Sequence, residues 1–274
     1  MADLELSPPV FAIFSSLIEE RVGLCYPLQD AEILASKLSL RALELGFGTL
    51  LDYYYFLRYD AGSEQEFTAL VNTLVVNETF FFRELLPLKV MVSELIAPLV
   101  HAGKSPRIWS AACSTGEEPL TLAMLLEEQG LLGSVELIAT DVSSNALGKA
   151  RSGTYGKRSL RQVLTPRLVE KWLQVGEHSI SVRPELLSRV SFRQLNLLDS
   201  EAVEALGRFD LILCRNVLIY FRDVTATRVV NTLASQLNPR GVLLVGISES
   251  LLRFRTELSC EESSGVFLYR KGGS

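Results

Sequence analysis

The 274-residue sequence has few cysteines and no dense run of basic residues. Its four cysteines are too scattered to match the short spacings of metal-binding motifs, so we predict no metal site and a reducing, intracellular setting. The formal net charge is -5, which argues against nucleic acid as a partner because phosphate binding needs a basic face. The cysteines are Cys25, Cys113, Cys214 and Cys260.

The sequence also lacks a hydrophobic run of the roughly 20 residues that a membrane-spanning helix needs. Its acidic N-terminus has no cationic start before an apolar stretch, so it does not look like a signal peptide. We therefore expect a cytoplasmic protein without direct membrane insertion. With 48% hydrophobic and 22% charged residues, the composition is that of a globular protein with one large domain or two modest ones.

The most informative stretch runs from Arg107 to Pro119. It predicts a buried strand, a tight loop of small residues and a helix with a proline in its first turn, as in nucleotide-binding α/β sheets. The loop has only one glycine, so it fails as a phosphate-binding fingerprint. Glu117 and Glu118 would repel a pyrophosphate but suit a ligand with an ammonium or sulfonium group. S-adenosylmethionine carries both groups.

Polar residues follow four predicted strands, at 110–118, Asp141, Asn196 and 215–216. Open α/β sheets bind ligands outside the carboxyl ends of their strands, so we expect these residues to lie together in a doubly wound, Rossmann-like sheet. Neither histidine of the chain lies near these positions, so we expect no histidine base.

Asp141 follows the second predicted strand, 25 positions after Gly116 (141 minus 116). An acid at this point grips the ribose diol in many nucleotide-binding sheets. The alternative is that Asp141 caps the next helix, but Ser143 and Ser144 are better placed for that. We favour the ribose.

The pattern predicts three regions. Residues 1–76 form an all-helical domain, whose fourth helix opens with Ser63 and Glu66 at the spacing of a capping box. Residues 77–106 form an inter-domain linker and helix, and residues 107–274 form the sheet domain. Within the latter, 153–191 predicts an inserted antiparallel β-subdomain, because 179–182 and 190–192 alternate between apolar and polar residues.

The linker opens with three consecutive phenylalanines, Phe80 to Phe82, among polar residues. Three in a row cannot all face one side of a helix, so some must be buried, and a groove between the two domains is one candidate. A helix cap followed by core is the alternative, and on this segment alone we favour it.

Several long motifs together resemble the chemotaxis receptor glutamate methyltransferases, the CheR family, in the same order along the chain. They are NETFFFRE at residues 77–84, WSAACSTGEEP at 109–119, ATD at 139–141, ARSGTY at 150–155, NLL at 196–198 and CRNVLIYF at 214–221. The resemblance implies a helical domain followed by a methyltransferase sheet with a β-subdomain insert. It also implies methyl transfer from S-adenosylmethionine to glutamate side chains on the cytoplasmic helices of chemoreceptors, with S-adenosylhomocysteine as the product.

The resemblance also implies a set of cofactor-binding residues. We add Glu117 to this set because its negative charge suits an ammonium or sulfonium group. The set is Asn77, Thr79, Arg83, Glu118, Asp141, Asn196, Leu197, Arg215 and Asn216. A glutamate carboxylate, with an ordinary pKa of about 4.3, is already ionised and nucleophilic at neutral pH, so no base is required. Arg83 is the natural group to position it through two parallel hydrogen bonds. Tyr220 would bond the same carboxylate or wall the methyl channel.

Two departures from the family pattern bear on the partner. The second helix is often strongly basic in the family, but here Lys37 and Arg41 are outnumbered by three acids between residues 26 and 46. The turn at 176–178 is shorter than in members that capture a receptor tail. We therefore expect the protein to dock directly on receptor helices without a tail-peptide tether, and we also expect a monomer. The alternatives are a cofactor-binding regulatory or scaffolding protein without turnover, and a small-molecule carboxyl methyltransferase.

Overall fold

A computed structural model describes residues 3–161 and 165–273. The chain divides into two compact units. The helical unit comprises Met1–Val76 and Tyr220–Thr225, and the sheet unit comprises Asn77–Ile219 and Ala226–Ser274. None of the helices in the described part of the chain is long and apolar enough to cross a membrane.

In the described part of the helical unit, four α-helices pack together through their buried apolar faces. Thr49 caps the third helix, because its Oγ1 accepts the backbone N–H of Asp52 at 3.1 Å. The first helix ends at Gly23, whose φ of 79° is the left-handed conformation that glycine adopts without strain. The helices are α1 (Pro8–Val22), α2 (Ala31–Glu44), α3 (Leu50–Tyr59) and α4 (Ser63–Leu74).

The predicted capping box at the start of α4 is wrong. The N-cap position is Gly62, with no side-chain cap. Glu66 is 7% exposed and points into the unit, where its Oε1 accepts the Tyr53 hydroxyl at 2.7 Å and Arg41 Nε at 3.0 Å. The Glu66 carboxylate, which the local pattern assigned to the cap, instead forms an ion pair with Arg41 of α2.

The sheet unit contains a seven-stranded sheet in the order β6-β2-β1-β7-β8-β10-β9. The first five strands are parallel, and β10 is antiparallel to β8 and β9. The strands among the described residues are β1 (Arg107–Ala111), β2 (Glu136–Asp141), β3 (Thr154–Gly156), β4 (Leu173–Val175), β5 (Ser179–Val182), β6 (Val190–Gln194), β7 (Phe209–Leu213), β8 (Leu237–Leu244), β9 (Ser259–Ser263) and β10 (Val266–Arg270).

Helices and short turns precede the first of these strands and connect the others. A six-residue π-helical stretch, Met91–Ile96, joins α5 to α6. The helices are α5 (Leu85–Val90), α6 (Ala97–His101), α7 (Glu117–Glu128), α8 (Ser144–Ser152), α9 (Pro166–Trp172), α10 (Pro184–Leu187), α11 (Ser200–Glu204) and α12 (Asp223–Ser235). The predicted α/β class, with a helical region before the sheet and a small antiparallel sheet inserted in it, is confirmed.

The central parallel strands are near-continuous apolar runs because both faces of the sheet are covered. Ile108 of β1 and Leu211 of β7 are fully buried. Trp109 is also fully buried, and its indole N–H donates to Thr140 Oγ1 at 2.9 Å, which satisfies the one polar atom of the ring. This core fixes how β1, β2 and β7 are aligned, so that their carboxyl ends lie at the same edge of the sheet.

Two strands differ from the sequence expectation. Residues 190–194 form β6, an edge strand of the large sheet parallel to β2, and the small sheet consists of β3, β5 and β4. An edge strand buries only part of its surface, so its apolar and polar residues alternate in the same way as those of an antiparallel strand. The polar and exposed β9 gave no apolar signal and was not predicted.

The phenylalanine run belongs to the core of the sheet unit. Phe81 and Phe82 are 1% and 2% exposed, and the Phe81 ring packs edge-on against Tyr155 at a centroid distance of 5.0 Å. Backbone N–H groups anchor the run, from Phe81 to Ser159 O at 2.7 Å and from Phe82 to Thr121 Oγ1 at 3.1 Å. Arg83 is thereby attached to a rigid support.

Candidate cofactor site

The loop from β1 to α7 is wound tightly by three residues with positive φ. They are Ala112 at 57°, Ser114 at 51° and Gly116 at 93°. A Cβ on Gly116 would lie 2.8 Å from the Ala150 Cβ, so the loop passes too close to α8 for any side chain there. Pro119 is the third residue of α7, in its first turn as predicted.

Asp141 ties this loop to the end of β2. Its Oδ2 accepts the N–H of Ser114 and its Oδ1 accepts the N–H of Ser143, both at 2.8 Å. Burial raises the pKa of Asp141 above its ordinary value, although the backbone hydrogen bonds partly oppose this. Ser143 caps α8 by accepting the N–H of Ala146 at 3.1 Å, so Asp141 is not needed as the cap.

Arg215, two residues past the end of β7, lies between two carboxylates. Its Nη1 is 2.8 Å from Glu118 Oε2, and its Nη2 is 2.9 Å from Glu84 Oε2. The Arg215 side chain is 2% exposed, and its Nε has no hydrogen-bond partner among the described residues. Glu118 is held a second time, because its Oε1 accepts the Ser110 hydroxyl at 2.8 Å.

Glu84 has a left-handed backbone, with φ of 47°, and its carboxylate joins three segments. Besides Arg215, it accepts the N–H of Ile247 at 3.1 Å and the side-chain amide of Asn216 at 3.3 Å. Burial alone would raise the pKa of Glu84, but the charge of Arg215 and these hydrogen bonds outweigh it and lower the pKa. The carboxylate is therefore ionised at neutral pH.

Glu249, beyond the end of β8, holds the backbone of the neighbouring strand end. It accepts N–H groups from Gly246 at 2.8 Å, Asn216 at 2.7 Å and Leu218 at 2.9 Å. A Cβ on Gly246 would lie 2.6 Å from the side-chain amide nitrogen of Asn216, so a larger residue there would displace the Asn216 side chain. The ends of β7 and β8 are thus fixed to each other.

Arg83 precedes Glu84 and is 29% exposed at its side chain. Its Nη1 donates to the carbonyl of Glu78 at 2.9 Å, and its Nε lies 4.0 Å from Glu84 Oε1. In the same segment Asn77 accepts the Ser114 hydroxyl at 3.3 Å, and Thr79 is half-buried. The linker segment and the β1–α7 loop therefore meet within the sheet unit.

Comparison with known proteins decides the family. The chain matches the family description "CheR methyltransferase, SAM binding domain" over residues 77–267 and "CheR methyltransferase, all-alpha domain" over residues 9–75. The chain belongs to the CheR methyltransferase family.

Two curated relatives, both chemotaxis protein methyltransferases, match this chain over most of their own length. A "Chemotaxis protein methyltransferase" of Vibrio parahaemolyticus is 38% identical over 260 residues, or 92% of each chain. "Chemotaxis protein methyltransferase 1" of Pseudomonas aeruginosa is 32% identical and covers 95% of this chain and 97% of its own. The predicted membership and S-adenosylmethionine as the cofactor are confirmed.

Solved structures are more distant. An O-methyltransferase family protein from Burkholderia thailandensis has a TM-score of 0.42 at 15% identity, covering 96% of this chain and 83% of its own. A magnesium protoporphyrin IX methyltransferase from Synechocystis with bound SAM has a TM-score of 0.36 at 14% identity, covering 86% and 97%. These likenesses are too weak to add to the family assignment.

The residues at this edge of the CheR sheet fit the cofactor by their chemistry. Five carboxyl groups and only two guanidinium groups lie at this edge, an excess of negative charge that suits a sulfonium and an ammonium group and would repel a pyrophosphate. The buried Arg215 Nε–H is a donor without an acceptor among the described residues. The charged residues are Glu84, Glu117, Glu118, Asp141, Glu249, Arg83 and Arg215.

The remaining predicted residues of this CheR chain lie in different surroundings. Glu117 is 1% exposed and accepts the Thr115 hydroxyl at 2.6 Å. Asn196 closes a turn by accepting the N–H of Leu198 at 3.0 Å, and Leu197 is 8% exposed. Tyr220 lies in the helical unit, so its approach to the reacting atoms stays a prediction.

Glu84 and Glu249 were missed from the sequence. Glu249 carried a usable signal, since it follows a predicted strand whose end points to the ligand edge. Glu84 did not, because its main partner Arg215 is 131 residues away and nothing local marks the pair.

Proposed function

We propose that this protein transfers the methyl group of S-adenosylmethionine to glutamate side chains of chemoreceptors, forming glutamate methyl esters and S-adenosylhomocysteine. Family membership over both units supports the reaction class. The observation that carries the proposal is the position of Arg83, a partly exposed guanidinium beside the Glu84–Arg215–Glu118 row. A cation there can hold a second, external carboxylate.

The proposed cofactor contacts follow the sequence prediction with two refinements. Asp141 contacts the ribose, and Asn77, Thr79, Arg83, Asn196, Leu197 and Asn216 line the rest. The first refinement is that Arg215 acts mainly through Glu118 and Glu84, because both of its Nη groups are already bonded. The second is that Glu117 supports the β1–α7 loop from inside, since its side chain is buried.

The chemistry asks little of the protein beyond positioning. When bound, S-adenosylmethionine supplies a methyl group activated by the sulfonium charge. A glutamate oxygen forms the new bond to the methyl carbon as the carbon–sulfur bond breaks, and no proton is transferred. Arg83 orients the glutamate carboxylate by paired hydrogen bonds, so the rate gain is largely one of alignment. Tyr220 is the proposed second contact to this carboxylate.

The proposed partner is a cytoplasmic helix of a chemoreceptor. The protein would bind it as a monomer, without holding a tail peptide of the receptor as a tether. Both basic residues of α2 are occupied within the helical unit. Lys37 Nζ donates to the carbonyl of Leu74 at 2.7 Å, and Arg41 is bonded to Glu66 and Glu44. The outer strands of the small sheet, β3 and β4, have three residues each. That is a short edge for an added peptide strand.

Incubating the protein with labelled S-adenosylmethionine and membranes from its own cell tests the proposal. We expect base-labile label on methyl-accepting chemoreceptors. Label on a small molecule would favour the carboxyl methyltransferase alternative. Cofactor binding without any transfer would favour a regulatory or scaffolding protein.

A further inference from the structure

Glu249 follows β8, and its carboxylate accepts hydrogen bonds from the backbone of two strand ends. Its Oε2 accepts the N–H of Gly246 at 2.8 Å and that of Asn216 at 2.7 Å. Its Oε1 accepts the N–H of Leu218 at 2.9 Å. The N–H of Glu249 itself donates to the carbonyl of Gly246 at 2.9 Å, which closes the turn after β8. The carboxylate therefore reaches from a fixed backbone to the segment that follows β7.

Asn216, in that segment, has an unusual backbone. Its φ is 59°, in the left-handed region that residues other than glycine seldom adopt and that asparagine tolerates best. Its N–H donates to Glu249, and its side-chain amide donates to Glu84 Oε1 at 3.3 Å. Its surroundings thus hold this conformation from the backbone and from the side chain.

Leu218 opens a single 3-10 helical turn, Leu218–Tyr220, and is 1% exposed. The first N–H groups of a helical turn have no acceptor within the turn, and a buried N–H without an acceptor is costly. Glu249 supplies the acceptor for Leu218. This bond fixes where the turn starts, and Tyr220 is its last residue.

These bonds require an acid at position 249 rather than an amide. Each carboxylate oxygen can accept more than one N–H, whereas glutamine has one accepting oxygen and an amino group that donates. In Glu249→Gln the oxygen can keep the N–H groups of Gly246 and Asn216, but the amino group then faces the N–H of Leu218. The opposite orientation sets the amino group against two N–H groups. The first orientation is therefore favoured, and the defect falls on the turn that ends at Tyr220.

We propose that Glu249 is a positioning residue for methyl transfer, which acts through the Leu218–Tyr220 turn. The inference rests on the proposed function, in which Tyr220 contacts the substrate carboxylate. Glu249 itself binds backbone N–H groups and directs the turn, so its contribution is to the alignment of the reacting groups. Its loss lowers the rate of transfer more than it weakens the binding of the methyl donor.

Steady-state methylation of a purified chemoreceptor by the full chain tests the proposal. In Glu249→Gln we expect kcat to fall at least about tenfold, as for a small misplacement of a reacting group, and by a larger factor than the KM for S-adenosylmethionine rises. The matched control is Glu136→Gln, which removes a carboxylate paired with Arg107 at the amino end of the strands and should leave both constants unchanged. A parent-level kcat in folded Glu249→Gln, or a rise in KM without a fall in kcat, would overturn the role of Glu249.

Combining Glu249→Gln with Tyr220→Phe tests the route through the turn. If Glu249 acts by placing the Tyr220 hydroxyl, the double variant should be little slower than Tyr220→Phe alone. Two independent effects, including a general loss of structure, would instead multiply. Multiplied effects would overturn the proposed route.

Hydrogen exchange in the parent protein tests the contacts even where Glu249→Gln does not fold. The N–H groups of Asn216 and Leu218 should exchange slowly, and fast exchange at both would contradict the proposal. Failure of the proposed function has a different outcome, because the parent protein would then form no methyl esters on the receptor, which overturns both.

Discussion

At the scale of single residues, Asp141 is held at both of its carboxylate oxygens, each of which accepts one backbone N–H. Each oxygen keeps a lone pair for a ribose hydroxyl. Hydrogen bonds to a charged group contribute about 1.5–3 kcal/mol. In Asp141→Ala we therefore expect both S-adenosylmethionine and S-adenosylhomocysteine to bind at least about tenfold more weakly by calorimetry.

The matched control for this variant is Asp210→Ala. Asp210 also accepts a backbone N–H, that of Arg107 at 2.9 Å, but at the amino end of β1. Its loss should leave both affinities unchanged. Parent-level affinity in a folded Asp141→Ala protein would show that the ribose is held elsewhere.

The lowered pKa of Glu84 predicts a pH-dependent contribution to stability. Its pKa is ordinary, near 4.5, in the unfolded chain and lower in the folded protein. The contribution is therefore fully present above about pH 4.5 and is lost as the pH falls through the lower, folded pKa. Urea unfolding from pH 3 to 7 should show the stability gap between parent and Glu84→Gln shrinking toward acid. A gap that is independent of pH would mean that Arg215 does not stabilise the ionised carboxylate.

At the scale of elements, the β1–α7 loop depends on a glycine that no other residue can replace. Gly116→Ala places a side chain at φ of 93° and 2.8 Å from the Ala150 Cβ. We expect a loss of at least about 2 kcal/mol in the free energy of unfolding, together with weaker cofactor binding.

Gly148→Ala is the control within the neighbouring helix α8. Nothing lies within 4 Å of its added Cβ and its φ is ordinary, so it should stabilise by about 0.5–1 kcal/mol. Equal thermal stability of the two variants would show that the loop relaxes around an alanine.

The small sheet carries the prediction about partner capture. β4 and β5 are joined by residues 176–178 alone, with the N–H of Gly176 bonded to the carbonyl of Ser179 at 2.9 Å. We expect no measurable binding of an isolated receptor tail peptide and no large change in methylation rate when the last residues of the receptor are removed. Micromolar peptide binding, or a strong rate loss on truncation, would contradict this.

At the scale of the whole molecule, the sequence predicted what local patterns encode. Buried parallel strands are apolar runs followed by polar tips, which identified β1, β2 and β7 and placed Asp141 and Arg215 at one edge. It did not predict the partner of Glu66, because that ion pair joins α4 to α2. Strand β9 is polar throughout, so only its pairing with β10 defines it.

The central claim is that this fold aligns a glutamate carboxylate with the methyl donor through Arg83. The decisive measurement is mass-spectrometric mapping of methyl esters on a purified chemoreceptor incubated with S-adenosylmethionine and either the parent protein or Arg83→Ala. We predict methylated glutamates with the parent, and at least about a hundredfold slower transfer with the variant at saturating S-adenosylmethionine. Parent-level methylation by a folded Arg83→Ala protein, or methyl esters absent from the receptor with the parent, would contradict the account.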